Sequence, residues 1–193
     1  MKPSFLSALT LGALVCSSSL HAQPAHDAHE HGVASLRVVA DGVALVIEFV
    51  SPLDNLVGFE HAPRTIVQRK ALTDAEHRLR DAGSLFLPSV AATCRLKEVT
   101  LESPWLQDVP HEHEHESDHE SGHVGAHASA ERAGHAEMVA TYRFECARPE
   151  ALRTLQTRLF DAFQRLREIR AERATATGQG AVVLRPARSD LPL

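Results

Sequence analysis

An α+β fold, mostly antiparallel β-sheet with one long helix and a disordered histidine-rich loop, is predicted by three features of this sequence. Met138, Ala140, Tyr142, Phe144 and Cys146 alternate in register over nine residues, the period of a half-buried strand. Val67, Ala71, Ala75, Leu79 and Ala82 recur at three- and four-residue spacing, the period of a helix face. Between Cys94 and Cys146 runs a polar, low-complexity stretch, residues 103–137, rich in His, Glu, Gly and Ala, with no apolar pattern to bury.

The chain opens with the marks of an export signal. Met1 and Lys2 give a positive start, Phe5 to Val15 is apolar, and Leu20-His21-Ala22 ends on a small residue. The apolar run is too short to span a bilayer, and no other stretch is longer, so the expectation is a protein that is not membrane-embedded. Val15 before Cys16 argues against a lipid anchor there. Removing residues 1–22 as a signal peptide leaves 171, enough for a single domain over 23–193. The predicted location is the periplasm, where Cys94 and Cys146 would be oxidised to a disulfide.

The elements follow in order. Residues 23–32 are polar and carry His26, His29 and His31. Leu36 to Ala40 and Val43 to Val50 read as a hairpin about an Asp41-Gly42 turn, closed by Ser51-Pro52. A loop over 53–62 leads to Pro63, which can open the helix that Gly83 closes. Leu85-Phe86-Leu87-Pro88 is an apolar anchor in a turn. Cys94 to Leu101 is a strand whose alternation slips between Leu96 and Val99, as at a bulge. Pairing it antiparallel with 138–146, with position numbers summing to 240, sets Cys94 opposite Cys146 and Leu101 opposite Val139. A disulfide there closes a loop of about fifty residues and contributes roughly 4 kcal/mol through loop-closure entropy. The histidine stretch then becomes a long loop over about 103–137, fixed at its base. Leu155, Leu159, Phe163 and Leu166 fit a helix face, although Leu155, Thr157 and Leu159 also alternate. Gly178 and Gly180 mark a turn, and Ala181 to Leu184 suggests a last strand ended by Pro186.

The net charge of −5 is concentrated. Glu112, Glu114, Glu116, Asp118, Glu120 and Glu131 against Arg132 alone account for it, which leaves the rest balanced and disfavours nucleic acid as a partner.

The chemistry lies in the histidines. Seven fall within 111–135: His111, His113, His115, His119, His123, His127 and His135. With both cysteines paired, the donors are imidazole and carboxylate, a set that suits zinc, admits other divalent transition metals and does not favour copper(I). In an extended chain His111, His113 and His115 project to one side ~6.6 Å apart. His115, His119, His123 and His127 step by four, and on a helix that step rises about 6 Å and turns roughly 40° past a full turn. Neighbouring pairs can chelate, but the whole set cannot line one face. Gly122 and Gly125 oppose a metal-free helix, so bound metal would supply the order.

Two segments, His115 to His119 and His119 to His123, match the two-histidine pattern of zinc proteases with an intervening Glu. That chemistry needs a rigid helix, whereas here the matches overlap inside a repetitive tract with no anchoring apolar face, and an enzyme is not expected. A separate structured site would join His61, with Glu60, to His29 and His31. The plainer role for His61 is a hydrogen-bonded surface residue before Pro63.

His29-Glu30-His31-Gly32-Val33-Ala34-Ser35-Leu36, then Ser51-Pro52 and Asn55-Leu56-Val57-Gly58-Phe59-Glu60-His61-Ala62-Pro63, resemble the ZrgA-like periplasmic zinc-binding proteins. The similarity continues through Cys94, the histidine insert, Tyr142 to Cys146, Leu159-Phe160 and Gly178-Gln179, with Gln164 standing where the family pattern has Pro. The resemblance implies an accessory factor in zinc uptake, working beside an ATP-driven importer or its substrate-binding protein. It also implies strands, not a helix, over residues 153–185. The alternative function is a periplasmic buffer or resistance protein that sequesters zinc, nickel or copper.

Overall fold

The structure is a computed structural model, and it describes residues 30–106 and 136–193. Among these, the first hairpin comprises β1 (Val33–Asp41) and β2 (Ala44–Pro52), with Asp41 facing Ala44. The turn is therefore Gly42-Val43, one residue later than Asp41-Gly42. Gly42 has φ 52° and Val43 does not share a positive φ. A two-residue hairpin loop that needs positive φ only at its first position selects glycine there.

After β2 the chain forms a short helix, α1 (Leu53–Val57), where a loop is expected, and Gly58 caps it at φ 85°. The next helix, α2 (Ile66–Arg80), starts three residues after Pro63 because Thr65 and Gln68 form a reciprocal cap. The Thr65 hydroxyl accepts from the Gln68 amide at 3.1 Å, and the Gln68 side chain accepts from Thr65 N at 3.2 Å. The helix stops at Asp81, and Gly83 lies inside a further turn, α3 (Ala82–Leu85). Phe86–Pro88, expected in a turn, is a strand, β3.

The strands β4 (Cys94–Glu102) and β5 (Glu137–Cys146) pair as expected from Cys94↔Cys146 to Leu96↔Phe144. A bulge between Leu96 and Glu98 then shifts the register, so Leu101 faces Ala140 and not Val139. Cys94 and Cys146 are disulfide-bonded. The bond sits at the end of the ladder away from Glu102 and Val139, so the paired strands themselves, not the disulfide, fix the two ends of residues 107–135.

The C-terminal third, where periodicity leaves helix and strand both open, is mostly strand, as the family resemblance implies. The chain there forms β6 (Thr154–Thr157), the single turn α4 (Leu159–Ala162), β7 (Glu168–Thr175) and β8 (Gly178–Leu184). Leu155, Leu159, Phe163 and Leu166 are all buried, but from a strand, a helical turn and the irregular segment after it. Core packing overrides the helix-favouring Ala, Arg and Glu composition. The segment 181–184 is not the last strand, because β9 (Asp190–Pro192) follows it.

Six strands form one sheet in the order β4-β5-β2-β1-β7-β8, antiparallel except for β1 beside β7. A second, antiparallel sheet orders β3-β6-β9. The buried face of the large sheet carries Leu36, Val38, Ile47, Phe49, Met138, Tyr142 and Ile169, in one cluster with Leu72, Ala75 and Leu79 of α2. Tyr142 is fully buried beneath that helix, packs edge-on to Phe86 at 4.8 Å and donates its hydroxyl to Leu79 O at 2.9 Å. Burial holds its phenol protonated well above the usual range. The bond satisfies one of the carbonyls that the last turn of a helix leaves open. Tyr142→Phe should therefore cost about 1–2 kcal/mol in chemical denaturation, with the far-UV spectrum unchanged. No helix among the described residues is long and apolar enough to cross a membrane.

Candidate metal centre

The site is built where the entry to β1 meets the turn after β2. Asn55, on α1, is 1% exposed and binds the incoming chain directly. Its Oδ1 accepts from Gly32 N at 2.6 Å, while Nδ2 donates to Val33 O at 2.8 Å and to Ser51 Oγ at 3.1 Å. Gly32 has φ 87°, and a Cβ there would lie 3.4 Å from Arg167 Cδ. Its carbonyl accepts from the Arg167 and Glu168 amides at 2.8 and 3.0 Å, which joins β1 to β7. These contacts fix the backbone next to His31.

His31 is thereby set between two carboxylates. Its Nε2 lies 3.2 Å from Glu60 Oε1, and its Nδ1 lies 3.9 Å from Asp54 Oδ2. The carboxylate side chains are only 15% and 12% exposed and Glu60 Oε1 itself is buried, whereas His31 is 61% exposed, so an ion would reach the group from the imidazole side. Asp54 is gripped from across the fold by Arg165, whose NH2 group donates to Oδ1 at 2.9 Å and Oδ2 at 2.7 Å. A pocket of about 380 Å³ adjoins the group, lined by His31, Gly32, Asp54, Gln164, Arg165 and Arg167.

Two ligands on a tetrahedral zinc ion, each at about 2.0–2.1 Å, stand roughly 3.3 Å apart. The 3.2 Å between His31 Nε2 and Glu60 Oε1 fits that spacing. Asp54 lies on the other ring nitrogen, where it can orient the imidazole but not share the ion. Among the described residues, no group of three His, Cys, Asp or Glu side chains converges on one point. The described chain thus offers one imidazole and one carboxylate in contact at an ion-pair distance that two zinc ligands would also keep, short of the four donors that close a structural zinc site.

His61 makes the contacts of the plainer of its two expected roles, and the site it would share with His29 reaches outside the described residues. Its Nδ1 meets Ala62 O at 2.9 Å and its ring stacks on Phe59 with centroids 5.3 Å apart, which places it in the loop before Pro63 rather than in a three-donor group with His31 and Glu60. His29, His111, His113, His115, His119, His123, His127 and His135 lie outside the described residues. The chain leads into that tract from beside the site. Trp105 donates Nε1 to Glu60 O at 3.3 Å, and Ala136 accepts from Leu53 N at 2.9 Å. Residue 29 adjoins Glu30, which pairs with Arg170 at 2.8 Å. Both histidine-bearing segments therefore leave the described fold at the turn that carries Asp54 and Glu60.

Sequence reasoning missed Asp54 and Arg165. Asp54 follows Pro52-Leu53 as an ordinary first-turn acid, and its partner is 111 residues away. No local pattern connects them.

A sequence model of a family described as "ZrgA family zinc uptake protein" matches residues 28–193. No curated protein matches the chain.

Proposed function

This chain belongs to the ZrgA family of zinc uptake proteins, and from that premise we propose that it collects zinc in the periplasm and assists its uptake by an ATP-driven importer. Zinc is cargo here, and no bond is made or broken on a substrate. Residues 1–22 act as the export signal. The histidine tract captures ions through many weak imidazole and carboxylate ligands, and its acidic charge raises the local cation concentration. His31 and Glu60 then provide a structured position beside the point where the tract begins, with His29 and His61 close in sequence as further donors.

One observation carries this reading: His31 Nε2 and Glu60 Oε1 stand at the spacing of two ligands on one zinc ion, on the turn to which both histidine segments attach. A long tether that ends beside a site keeps its ligands at high effective concentration there, which favours passage of an ion from one to the other.

Competitive titration of the chain from residue 23 onward tests the proposal. Several equivalents of zinc should bind, and affinity should fall steeply as pH drops below about 6.5, because a protonated imidazole has no lone pair for the metal. Affinity unchanged down to a pH of roughly 5 would identify carboxylates as the ligands that matter. Preference for nickel or copper(II) beyond the ordinary order of divalent affinities would favour sequestration over zinc delivery.

A further inference from the structure

A histidine that binds zinc through one ring nitrogen commonly donates the other N–H to a carboxylate, which fixes the tautomer and makes the ring a better ligand. The carboxylate suited to that task is present here. Asp54 faces His31 Nδ1, yet the separation is 3.9 Å, beyond hydrogen-bond range. Its oxygens are committed elsewhere. Arg165 NH2 donates to Oδ1 at 2.9 Å and Oδ2 at 2.7 Å, while Nε reaches Oδ2 at 3.3 Å and Asp54 O at 2.9 Å. With Asp54 only 12% exposed, water has little access, and the planar Arg165 guanidinium holds both carboxylate oxygens.

We propose that Arg165 keeps the His31 site weak by withholding Asp54 from His31, so that zinc taken there can be given up again. This rests on the zinc site proposed above. The device suits a carrier, because a second-shell carboxylate typically changes metal affinity by 10–100-fold, and that strengthening is held in reserve. Freed from Arg165, the Asp54 carboxylate needs to close only about 1 Å to accept Nδ1–H.

The test is a double-mutant cycle in the full chain from residue 23, with the seven tract histidines changed to Gln so that the structured site alone is read. Arg165→Gln should raise zinc affinity by about tenfold, chiefly through slower release. Asp54→Asn should abolish that gain, since an amide is a poor acceptor for the polarised N–H. Arg165→Lys retains the charge without the two-pronged contact and should give a smaller gain in the same direction. Metal-free melting curves check that each variant is folded, and if Arg165→Gln is not, Arg165→Lys carries the test. A gain of equal size in the Asp54→Asn background would show simple charge repulsion and overturn the proposal. So would unchanged or weaker binding in both Arg165 variants. Loss of zinc binding in the parent chain itself, before any change at Arg165, would instead refute the site at His31 and Glu60.

Discussion

Replacing residues 111–135 with a short Gly/Ser linker should leave the metal-free fold standing while most of the zinc capacity disappears. The ends of this segment are held without it. Past the bulge at Leu96, β4 and β5 stay paired out to Glu102↔Val139, Leu53 N binds Ala136 O, and Trp105 is hydrogen-bonded to Glu60 O. Loop-closure cost grows only with the logarithm of length, so shortening should change metal-free stability by ~1 kcal/mol at most. Seven of the thirteen histidines are removed, and zinc stoichiometry should fall accordingly. Melting temperature without metal and zinc stoichiometry of the two chains decide the matter. Unfolding of the shortened chain would make the tract part of the core. Unchanged capacity would deny it the role of collector.

Replacing Cys94 and Cys146 together by Ser should have the largest effect on stability. The bond closes a loop across a sequence separation of 52, and its removal should cost about 4 kcal/mol. For a domain of this size that lowers Tm by roughly 10 °C. Zinc stoichiometry should not change, because the pair lies at the end of the β4–β5 ladder away from His31, ~27 Å of strand from the tract. The wild-type chain purified without reductant should show no free thiol by intact mass. Alkylation of both cysteines under native conditions, or equal stability of the two chains, would contradict the assignment.

What could be seen in the sequence was set by local rules. The alternation in 138–146 is legible because β5 buries one face, and the bulge near Leu96 showed as a slip in the same pattern. The paired cysteines followed from their even number beyond the expected signal peptide, and the register supposed from them holds from Cys94↔Cys146 to Leu96↔Phe144. The C-terminal third was misleading because Leu155, Leu159, Phe163 and Leu166 meet one core from a strand, a helical turn and the turn that follows it, and their spacing only imitates a helix. Its resemblance to a known family pointed to strands where periodicity left helix and strand both open. The site was half legible. His31 and Glu60 stood in polar, histidine-bearing motifs. Asp54 and Arg165 could not be found, since their pairing depends on β7 lying parallel to β1, and a parallel neighbour leaves no turn to signal it. Asn55 looked like part of a family motif, while its work in holding Gly32 and Val33 is visible only in three dimensions.

The most direct test of the account is the zinc stoichiometry of the linker chain, with and without His31→Ala, measured against a chromophoric chelator. One equivalent of modest affinity should remain when the tract is gone and should vanish with His31→Ala, the fold being unchanged by circular dichroism. A linker chain that binds no zinc, or that keeps the same equivalent without the His31 imidazole, would contradict a structured zinc site at His31 and Glu60.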